Sequence, residues 1–285
     1  MSLTTTGKLT DAARADGVGT AAFNVITLEH AEAVIIAAER AGSPVVVAIS
    51  ENAVKFRRGR LGPLAAACRA LAEEATVPVA LHLDHVESVD LLVAAEGTGI
   101  SSVMFDASRL AYAENVAATA DAVAWAHERG ITLEAELGEV GGKPGHPALD
   151  AHAPGARTDP DEAAAYVRAT GVDALAVAVG SSHAMLDRTA TLDHDLIARL
   201  RAAVDVPLVL HGSSGVPDDE LRRAVAAGMT KINVGTALNI AYTGTLRERL
   251  TATPDKADPR PALTLAREAT AQAIGELLRV ITAKG

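Results

Sequence analysis

Short apolar runs alternate with longer amphipathic segments along most of the chain. Eight runs rich in Val, Leu, Ile and Ala have the length of buried strands, and the segments between them carry apolar residues at helical spacing. The predicted strands are AAFNV (21–25), PVVVAIS (44–50), VPVALHLD (77–84), SVMFD (102–106), ITLEAEL (131–137), ALAVAV (174–179), PLVLH (207–211) and KINV (231–234).

The intervening segments predict helices, several of which begin at an acidic residue or Pro and stop at Gly. Eight strand–helix repeats predict a (β/α)8 TIM barrel, one domain over residues 1–285 with an extra C-terminal helix after 259. A doubly wound open sheet is the alternative, but no GxGxxG follows the first strand. The predicted helices are 28–41, 111–128, 159–170 and 217–228.

One connection differs from the rest in length and composition. Residues 138–159 contain five glycines and three prolines without helical period, whereas a connection between a strand and a helix in such units usually has about 2–6 residues. We expect a lid over about 138–158, and a surface insertion without a role is the alternative.

The composition limits the class of partner. The 285 residues are 49% hydrophobic but only 2% aromatic, so the core is aliphatic. The net charge is -10 and no Lys/Arg-rich block occurs, which argues against a nucleic acid or an anionic membrane as partner. A local basic pocket for a small anion stays compatible with this balance.

Cysteine usage and the N-terminal segment bear on the compartment. Cys68 is the single cysteine, so neither a disulfide framework nor a cysteine metal site can be built. The first 17 residues contain no apolar signal-peptide core, and no run approaches the roughly 18 apolar residues of a membrane span. These features predict a cytoplasmic protein.

Ionisable residues gather at the ends of the predicted strands, where TIM barrels place their reactive groups. His85, His183 and His211 each follow a different strand, and three imidazoles with an open fourth position are the ligand set of a catalytic zinc. Hydrogen-bonded core histidines are the alternative. The carboxylates at these ends are Asp84, Asp106, Glu134 and Glu136.

The third strand ends in HLDH (82–85). Alternation places His82 and Asp84 on one side of the strand, with His85 at the turn out of the barrel. Asp84 is then a candidate general acid or base beside the metal, or a group that supports a ligand imidazole, the role we expect for His82. Asp106 and Glu136 are candidates for an alternative metal position, for orienting ligands, or for salt bridges.

The last two strands run into small turns, HGSSG (211–215) and NVGT (233–236), which open helices. Such turns present backbone N–H groups, and in TIM barrels the loops after strands seven and eight are the usual phosphate site. The two turns together predict a phosphorylated substrate.

Taken in order, seven segments resemble the class II, metal-dependent ketose-bisphosphate aldolases, especially the shorter branch that includes tagatose-bisphosphate aldolases. The resemblance covers nearly the whole chain and implies a zinc-dependent TIM barrel, a homodimer or homotetramer, and a monovalent cation (Na+ or K+) near the phosphate. The segments are FNV (23–25), LHLDH (81–85), SVMFDAS (102–108), EAELGEVGG (134–142), VDALAVAVGSSH (172–183), PLVLHGSSG (207–215) and KINVGT (231–236).

The resemblance also implies residue roles. His85, His183 and His211 match the zinc ligands, and Asp84 matches the residue that exchanges a proton with the C4 oxygen of the ketose. Asp106 and Glu136 match the carboxylates near a second metal position. The positions that match substrate contacts are Asn24, Ser50, Ala184, Gly212, Ser213, Ser214, Asn233, Gly235 and Thr236.

Two positions depart from the family pattern. Pro144 stands where relatives have the lid glutamate that handles the enediolate carbon, and Ala184 replaces a glycine whose backbone approaches the phosphate. Spacing does not single out a substitute for that glutamate. Candidates in the same segment are Glu139, His146, Asp150 and His152.

The function expected from this resemblance is reversible cleavage of a ketose phosphate, fructose 1,6-bisphosphate or a relative, to dihydroxyacetone phosphate and an aldehyde. Two alternatives remain: another zinc lyase or hydrolase on a phosphorylated small molecule, and a noncatalytic metal-binding subunit. The motifs determine neither the stereochemistry of the ketose nor the identity of the metal. Cobalt, manganese or iron could bind the same three imidazoles as zinc.

Overall fold

The computed structural model describes residues 2–138, 140 and 156–283. In that part of the chain nine strands alternate with helices. The strands are β1 (Leu3–Thr4), β2 (Thr20–Asn24), β3 (Val45–Ser50), β4 (Val79–Val86), β5 (Ser102–Phe105), β6 (Thr132–Leu137), β7 (Ala174–Val177), β8 (Leu208–Leu210) and β9 (Met229–Val234).

The helices pack outside the strands, and most begin with a capping side chain and end near a glycine or a loop. Thr27, for example, accepts the His30 N–H at the start of the second helix, and Gly42, with a φ of 61°, follows its last residue. The helices are α1 (Thr6–Asp16), α2 (Leu28–Ala41), α3 (Glu51–Phe56), α4 (Gly62–Glu74), α5 (Val89–Val93), α6 (Tyr112–His127), α7 (Pro160–Thr170), α8 (His194–Ala203), α9 (Asp218–Ala227), α10 (Thr236–Ala252) and α11 (Arg260–Ile281).

Strands β2 to β9 form a closed parallel barrel. They follow one another in the order β4-β3-β2-β9-β8-β7-β6-β5, and β4 also pairs with β5, which joins the two ends of the sheet. The predicted TIM barrel with a C-terminal helix is confirmed, and closure rules out the open sheet. The short β1 adds to β4 as a ninth strand.

The predicted strands and the predicted helices over 28–41, 111–128, 159–170 and 217–228 differ from the observed elements by at most about two residues at either end. The helix over 28–41 has the predicted bounds, but the strand predicted to end at 84 continues to Val86. The predicted helices did not include α1, α3, α4, α5, α8 and α10. In α10 only Leu238 and Tyr242 are buried, and the apolar residues form no clear stripe.

One end of the barrel is closed by α1. Leu9 packs among Ala22, Val46 and Ala80, which lie on β2, β3 and β4 and face the barrel interior. Because all eight strands run parallel from this floor, their carboxyl ends meet at the opposite, open end. The aliphatic core lies between strands and helices and includes Cys68, which is buried in α4.

The predicted lid lies mostly outside the described residues. Its two ends are fixed: Thr158 donates its hydroxyl to the Leu137 carbonyl at 2.6 Å and accepts the Ala178 N–H at 2.9 Å. Among the helices of the described residues, none is long and apolar enough to cross a bilayer.

Candidate metal centre

The end of β4 places two neighbouring side chains in one cavity, although successive strand residues normally face opposite sides. The pairing of β4 with β5 shifts between Leu83 and Val86, and His85 has a φ of 51°. This left-handed backbone, unusual for a residue other than glycine, turns the His85 ring to the side of Asp84. His85 therefore lies at a bulge inside β4, not at the turn beyond it.

Three imidazoles from β4 and from the segments after β7 and β8 meet at the open end of the barrel. The His85 ring centroid lies 4.9 Å from that of His183 and 4.6 Å from that of His211. One ligand nitrogen of each ring lies within 4.8 Å of the other two. The buried His85 Nε2 has no hydrogen-bond partner among the described residues, so the arrangement fits a bound metal ion.

Carboxylates orient two of the three imidazoles. Asp106 Oδ2 lies 3.0 Å from His85 Nδ1, and Glu134 Oε1 lies 2.9 Å from His211 Nε2. Because an ionised carboxylate only accepts, these ring nitrogens donate. Nε2 of His85 and Nδ1 of His211 are then the nitrogens left for a metal.

Asp84 stands beside the imidazoles in a frame of two amides. Its carboxylate accepts from Asn24 Nδ2 at 2.7 Å and from Asn233 Nδ2 at 3.2 Å. The Oδ1 atoms of both asparagines are buried without a hydrogen-bond partner in the part of the chain described. Two acceptors flanking a carboxylate suit the hydroxyl groups of a sugar.

Electrostatics favour the ionised form of Asp84. Burial alone would raise the pKa of Asp84, but the neighbouring His85 and His82 imidazoles hold that pKa well below its usual value. Burial likewise disfavours a charged His85, yet Asp84 and Asp106 raise its pKa to about 9. The centre is thus a set of carboxylates that attracts positive charge.

Glu134 and Glu136 both face the barrel interior, two residues apart on β6, but have different partners. Glu136 is fully buried, accepts the Val140 N–H at 3.3 Å, and forms a second potential metal-binding group with His85 and Asp106. Glu134 lies one step closer to the floor. Burial would raise its pKa, but Lys231 and His211 lower the pKa of Glu134 to about 2.

The two small turns after β8 and β9 meet at one wall of the cavity. Ser214 Oγ accepts the Ala237 N–H at 3.0 Å and so joins them, whereas Ser213 donates its hydroxyl to the Leu210 carbonyl at 3.2 Å. Gly212 has a φ of 67°, and a Cβ there would lie 2.6 Å from the Ser182 carbonyl carbon. The close approach requires glycine.

Ala184, directly after His183, has a φ of 58°. This is the left-handed region that glycine adopts without strain, in keeping with the glycine that the resemblance places at this position. The alanine therefore keeps the backbone conformation and adds a methyl group at the cavity wall.

A cavity of about 550 Å³ connects the imidazoles, Asp84 and the two turns. Lys55, Arg109 and Asn239 also line it and were not predicted, because they lie on helices or loops without a motif. Of the predicted site residues, the cavity is lined by Asn24, Ser50, Asp84, His85, Asp106, His183, Ala184, His211, Gly212, Ser213, Ser214, Asn233, Gly235 and Thr236.

Pro144 and the candidates for the missing lid base lie outside the described residues. These candidates are Glu139, His146, Asp150 and His152.

Comparisons with known proteins agree with this geometry. Residues 4–285 match the family model described as fructose-bisphosphate aldolase class-II. The crystal structure of the YdjI aldolase from Escherichia coli K12 is 32% identical, with a TM-score of 0.83 over 99% of this chain and 98% of that one. A candidate fructose-1,6-bisphosphate aldolase from Coccidioides immitis is 30% identical, with a TM-score of 0.84 over 96% and 94%.

A third structure shares the fold at lower identity. Fructose-bisphosphate aldolase from Campylobacter jejuni is 23% identical, with a TM-score of 0.80 over 96% of this chain and 93% of that one.

Proposed function

Because the chain belongs to the class II fructose-bisphosphate aldolase family and is an aldolase of the ketose-bisphosphate type, we propose that it reversibly cleaves fructose 1,6-bisphosphate or tagatose 1,6-bisphosphate. The products are dihydroxyacetone phosphate and an aldehyde. The observation that carries this proposal is the three-imidazole cluster beside the amide-framed carboxylate of Asp84.

The proposed metal is Zn2+, held by His85, His183 and His211. Three neutral imidazoles are a common ligand set of catalytic zinc and leave a coordination position for substrate. Bound there, the ion would supply a Lewis acid for the ketose carbonyl. Asp106 orients His85 through a 3.0 Å hydrogen bond, and Glu136 stands at the second potential metal position.

Asp84 is the proposed acid–base group. In cleavage it takes the proton of the C4 hydroxyl while the C3–C4 bond breaks and its electron pair stays with the ketone fragment; in condensation it returns that proton. The Asn24 and Asn233 amides fix both carboxylate oxygens, so the group is oriented before substrate arrives. Their Oδ1 atoms are placed to accept from sugar hydroxyls.

The joined turns at Gly212–Ser214 and Gly235–Thr236 are the proposed phosphate site. Thr236 begins α10, and the start of a helix, at the positive end of its dipole, is a favourable place for a phosphate. Glycine at 212 lets the first of these turns pack against the Ser182 backbone. A monovalent cation beside the phosphate and assembly into a homodimer or homotetramer remain predictions from the resemblance.

A coupled assay tests the function. Release of dihydroxyacetone phosphate is followed from fructose 1,6-bisphosphate and from tagatose 1,6-bisphosphate, with untreated protein, with chelator, and after zinc is restored. We expect turnover that chelator abolishes and zinc restores, and the ratio of kcat/KM for the two ketoses identifies the preferred substrate.

Two other outcomes would contradict the proposal. Release of inorganic phosphate without a carbonyl product would indicate a zinc hydrolase. Tight zinc and sugar-phosphate binding without turnover of either ketose would indicate a noncatalytic subunit.

A further inference from the structure

A buried network of polar side chains lies on the floor side of the metal centre. Lys231 is 1% exposed, and its Nζ lies 2.5 Å from Glu134 Oε2 and 3.4 Å from His82 Nε2. His82 Nδ1 in turn lies 2.7 Å from Ser102 Oγ. These charged groups stand in the middle of the barrel, where burial without a specific partner would be costly.

Strand periodicity places this network one layer beneath the reactive groups. His82, Glu134 and Lys231 each lie two residues before a residue of the centre on the same strand, namely Asp84, Glu136 and Asn233. Because the strands run from the floor to the open end, the earlier residues lie deeper. Lys231 is therefore too deep to serve as a nucleophile for a substrate in the cavity.

This network contacts the metal centre through His211. Glu134 uses one oxygen for Lys231 and the other, at 2.9 Å, for His211 Nε2. A carboxylate can only accept, so the bond permits one His211 tautomer, with hydrogen on Nε2 and the Nδ1 lone pair directed to the other side of the ring. The His211 ring centroid lies 4.6 Å from that of His85 and 5.9 Å from that of His183, so Nδ1 is the nitrogen left for an ion shared by the three rings.

We propose that Glu134 is a positioning residue for the metal centre: anchored by Lys231, it fixes the orientation and tautomer of His211, so that the metal binds through Nδ1. Lys231 neutralises the buried carboxylate and holds it in one rotamer. The inference rests on the proposed ligand role of His211. It assigns to the deep Lys–Glu pair a function beyond stability.

Two double variants separate the hydrogen bond from the ion pair. Glu134→Leu with Lys231→Met removes both charges and the acceptor, whereas Glu134→Gln with Lys231→Met removes both charges but keeps an amide oxygen that can accept from His211. Neither leaves an unpaired buried charge, and such neutral replacements are often tolerated. Zinc affinity of each metal-free protein is measured by competition with a chromophoric chelator.

We expect the Leu/Met variant to bind zinc roughly 10- to 100-fold more weakly than the unmodified chain, and the Gln/Met variant to stay within about threefold of it. Equal zinc affinity of the two variants would overturn the inference. Failure of the unmodified chain to bind zinc would instead overturn the proposed function.

A matched control uses the Glu220–His194 pair, whose Oε2–Nε2 distance is 3.0 Å and which does not line the cavity. Glu220→Leu should change thermal stability but leave zinc affinity unchanged, since it removes a buried glutamate–histidine hydrogen bond away from the metal.

A second measurement does not depend on the variants folding. In zinc-loaded protein with 15N-labelled histidine, the chemical shifts and long-range couplings distinguish a zinc-bound from a protonated ring nitrogen. We expect His211 to carry zinc on Nδ1 and hydrogen on Nε2. Zinc on Nε2 would contradict the inference.

Discussion

At the scale of single residues, Asp84 and His85 are neighbours in sequence with opposite surroundings. Asp84 accepts from two amides, and His85 donates to Asp106, so one is held as an acceptor while the other keeps a ring nitrogen for a metal. Both side chains nevertheless reach the same cavity, because the bulge at His85 turns its ring to the side of Asp84. Each can therefore be altered with a separate expected effect.

Asp84→Ala should retain zinc and lose most of kcat. Asp84 takes no part in either metal-binding group but stands where the C4 hydroxyl proton must be exchanged, and such general acid–base groups contribute roughly 10²- to 10⁴-fold. Steady-state kinetics with either ketose bisphosphate, together with zinc content, provide the measurement.

The control for that variant is Asp121→Ala, an exposed position on α6. It should keep kcat and zinc unchanged. A near-normal kcat in Asp84→Ala would remove the role assigned to Asp84, and loss of zinc would show instead that the carboxylate supports the metal ligands.

Ala184→Gly should stabilise the protein. A left-handed conformation costs a residue with a Cβ about 1–2 kcal/mol, part of which returns as extra freedom of glycine in the unfolded chain. At a φ of 58° the relief of backbone strain should outweigh this entropy cost, so the melting temperature should rise by a few degrees. Differential scanning calorimetry on metal-matched samples measures it.

Ala117→Gly is the matched control, because Ala117 is exposed within α6 and has ordinary helical geometry. It should lower stability by about 1 kcal/mol. If both substitutions lowered the melting temperature equally, the left-handed strain at Ala184 would be refuted.

At the scale of elements, the site depends on how two strand–helix turns meet. The turn after β8 is held against the segment before His183 by the approach of Gly212 to Ser182, and Ser214 ties it to the start of α10. A change in one turn is therefore transmitted to a metal ligand and to the proposed phosphate site. Neither turn forms the site alone.

Gly212→Ala should damage substrate binding. The new Cβ would meet the Ser182 carbonyl carbon at 2.6 Å and also require a residue with a side chain at a φ of 67°. Because backbone must move, we expect KM for the ketose phosphate to rise roughly tenfold or more, with a fall in stability of about 1–3 kcal/mol. Kinetics and thermal unfolding together measure both effects.

Gly130→Ala isolates the effect of backbone strain. Gly130 has a similar φ of 66°, but a Cβ there would meet nothing within 4 Å. It should lose stability by about 1 kcal/mol and keep KM. An unchanged KM in Gly212→Ala would contradict the phosphate site at this turn.

At the scale of the whole molecule, the aliphatic core isolates groups that the chemistry does not use. Cys68 lies inside α4 against the core, where burial raises the pKa of its thiol to about 12. Since the thiolate is the reactive form, the cysteine reports on opening of the fold.

Cys68 should resist thiol reagents in the folded protein at pH 8 and react fully in denaturant. The raised pKa alone lowers the thiolate fraction by roughly a thousandfold, and burial slows access further. Absorbance of a released chromophoric thiol follows the reaction. Ala117→Cys in a Cys68→Ala background, with an exposed thiol, should react at once; equally fast labelling of folded Cys68 would contradict its burial.

Most of the fold could be predicted from the sequence, because the strands and helices of a parallel barrel each have a local pattern of apolar residues. Buried strands need uninterrupted apolar runs and covering helices need one apolar face, so the eight strands and α2 fell near their predicted bounds. The helix α10 shows no such apolar face, because most of its residues are not buried. The lid base could not be assigned, since a loop without period carries no such signal.

The sequence by itself determined the barrel, the set of ionisable residues at its strand ends and the resemblance to class II aldolases, because these depend on residue type, spacing and order. Only the tertiary structure decided how the groups combine. The left-handed backbone at His85, the amide frame of Asp84 and the contact of Lys231 with Glu134 join residues distant along the chain. Such contacts depend on the register and closure of the barrel, which no local pattern specifies.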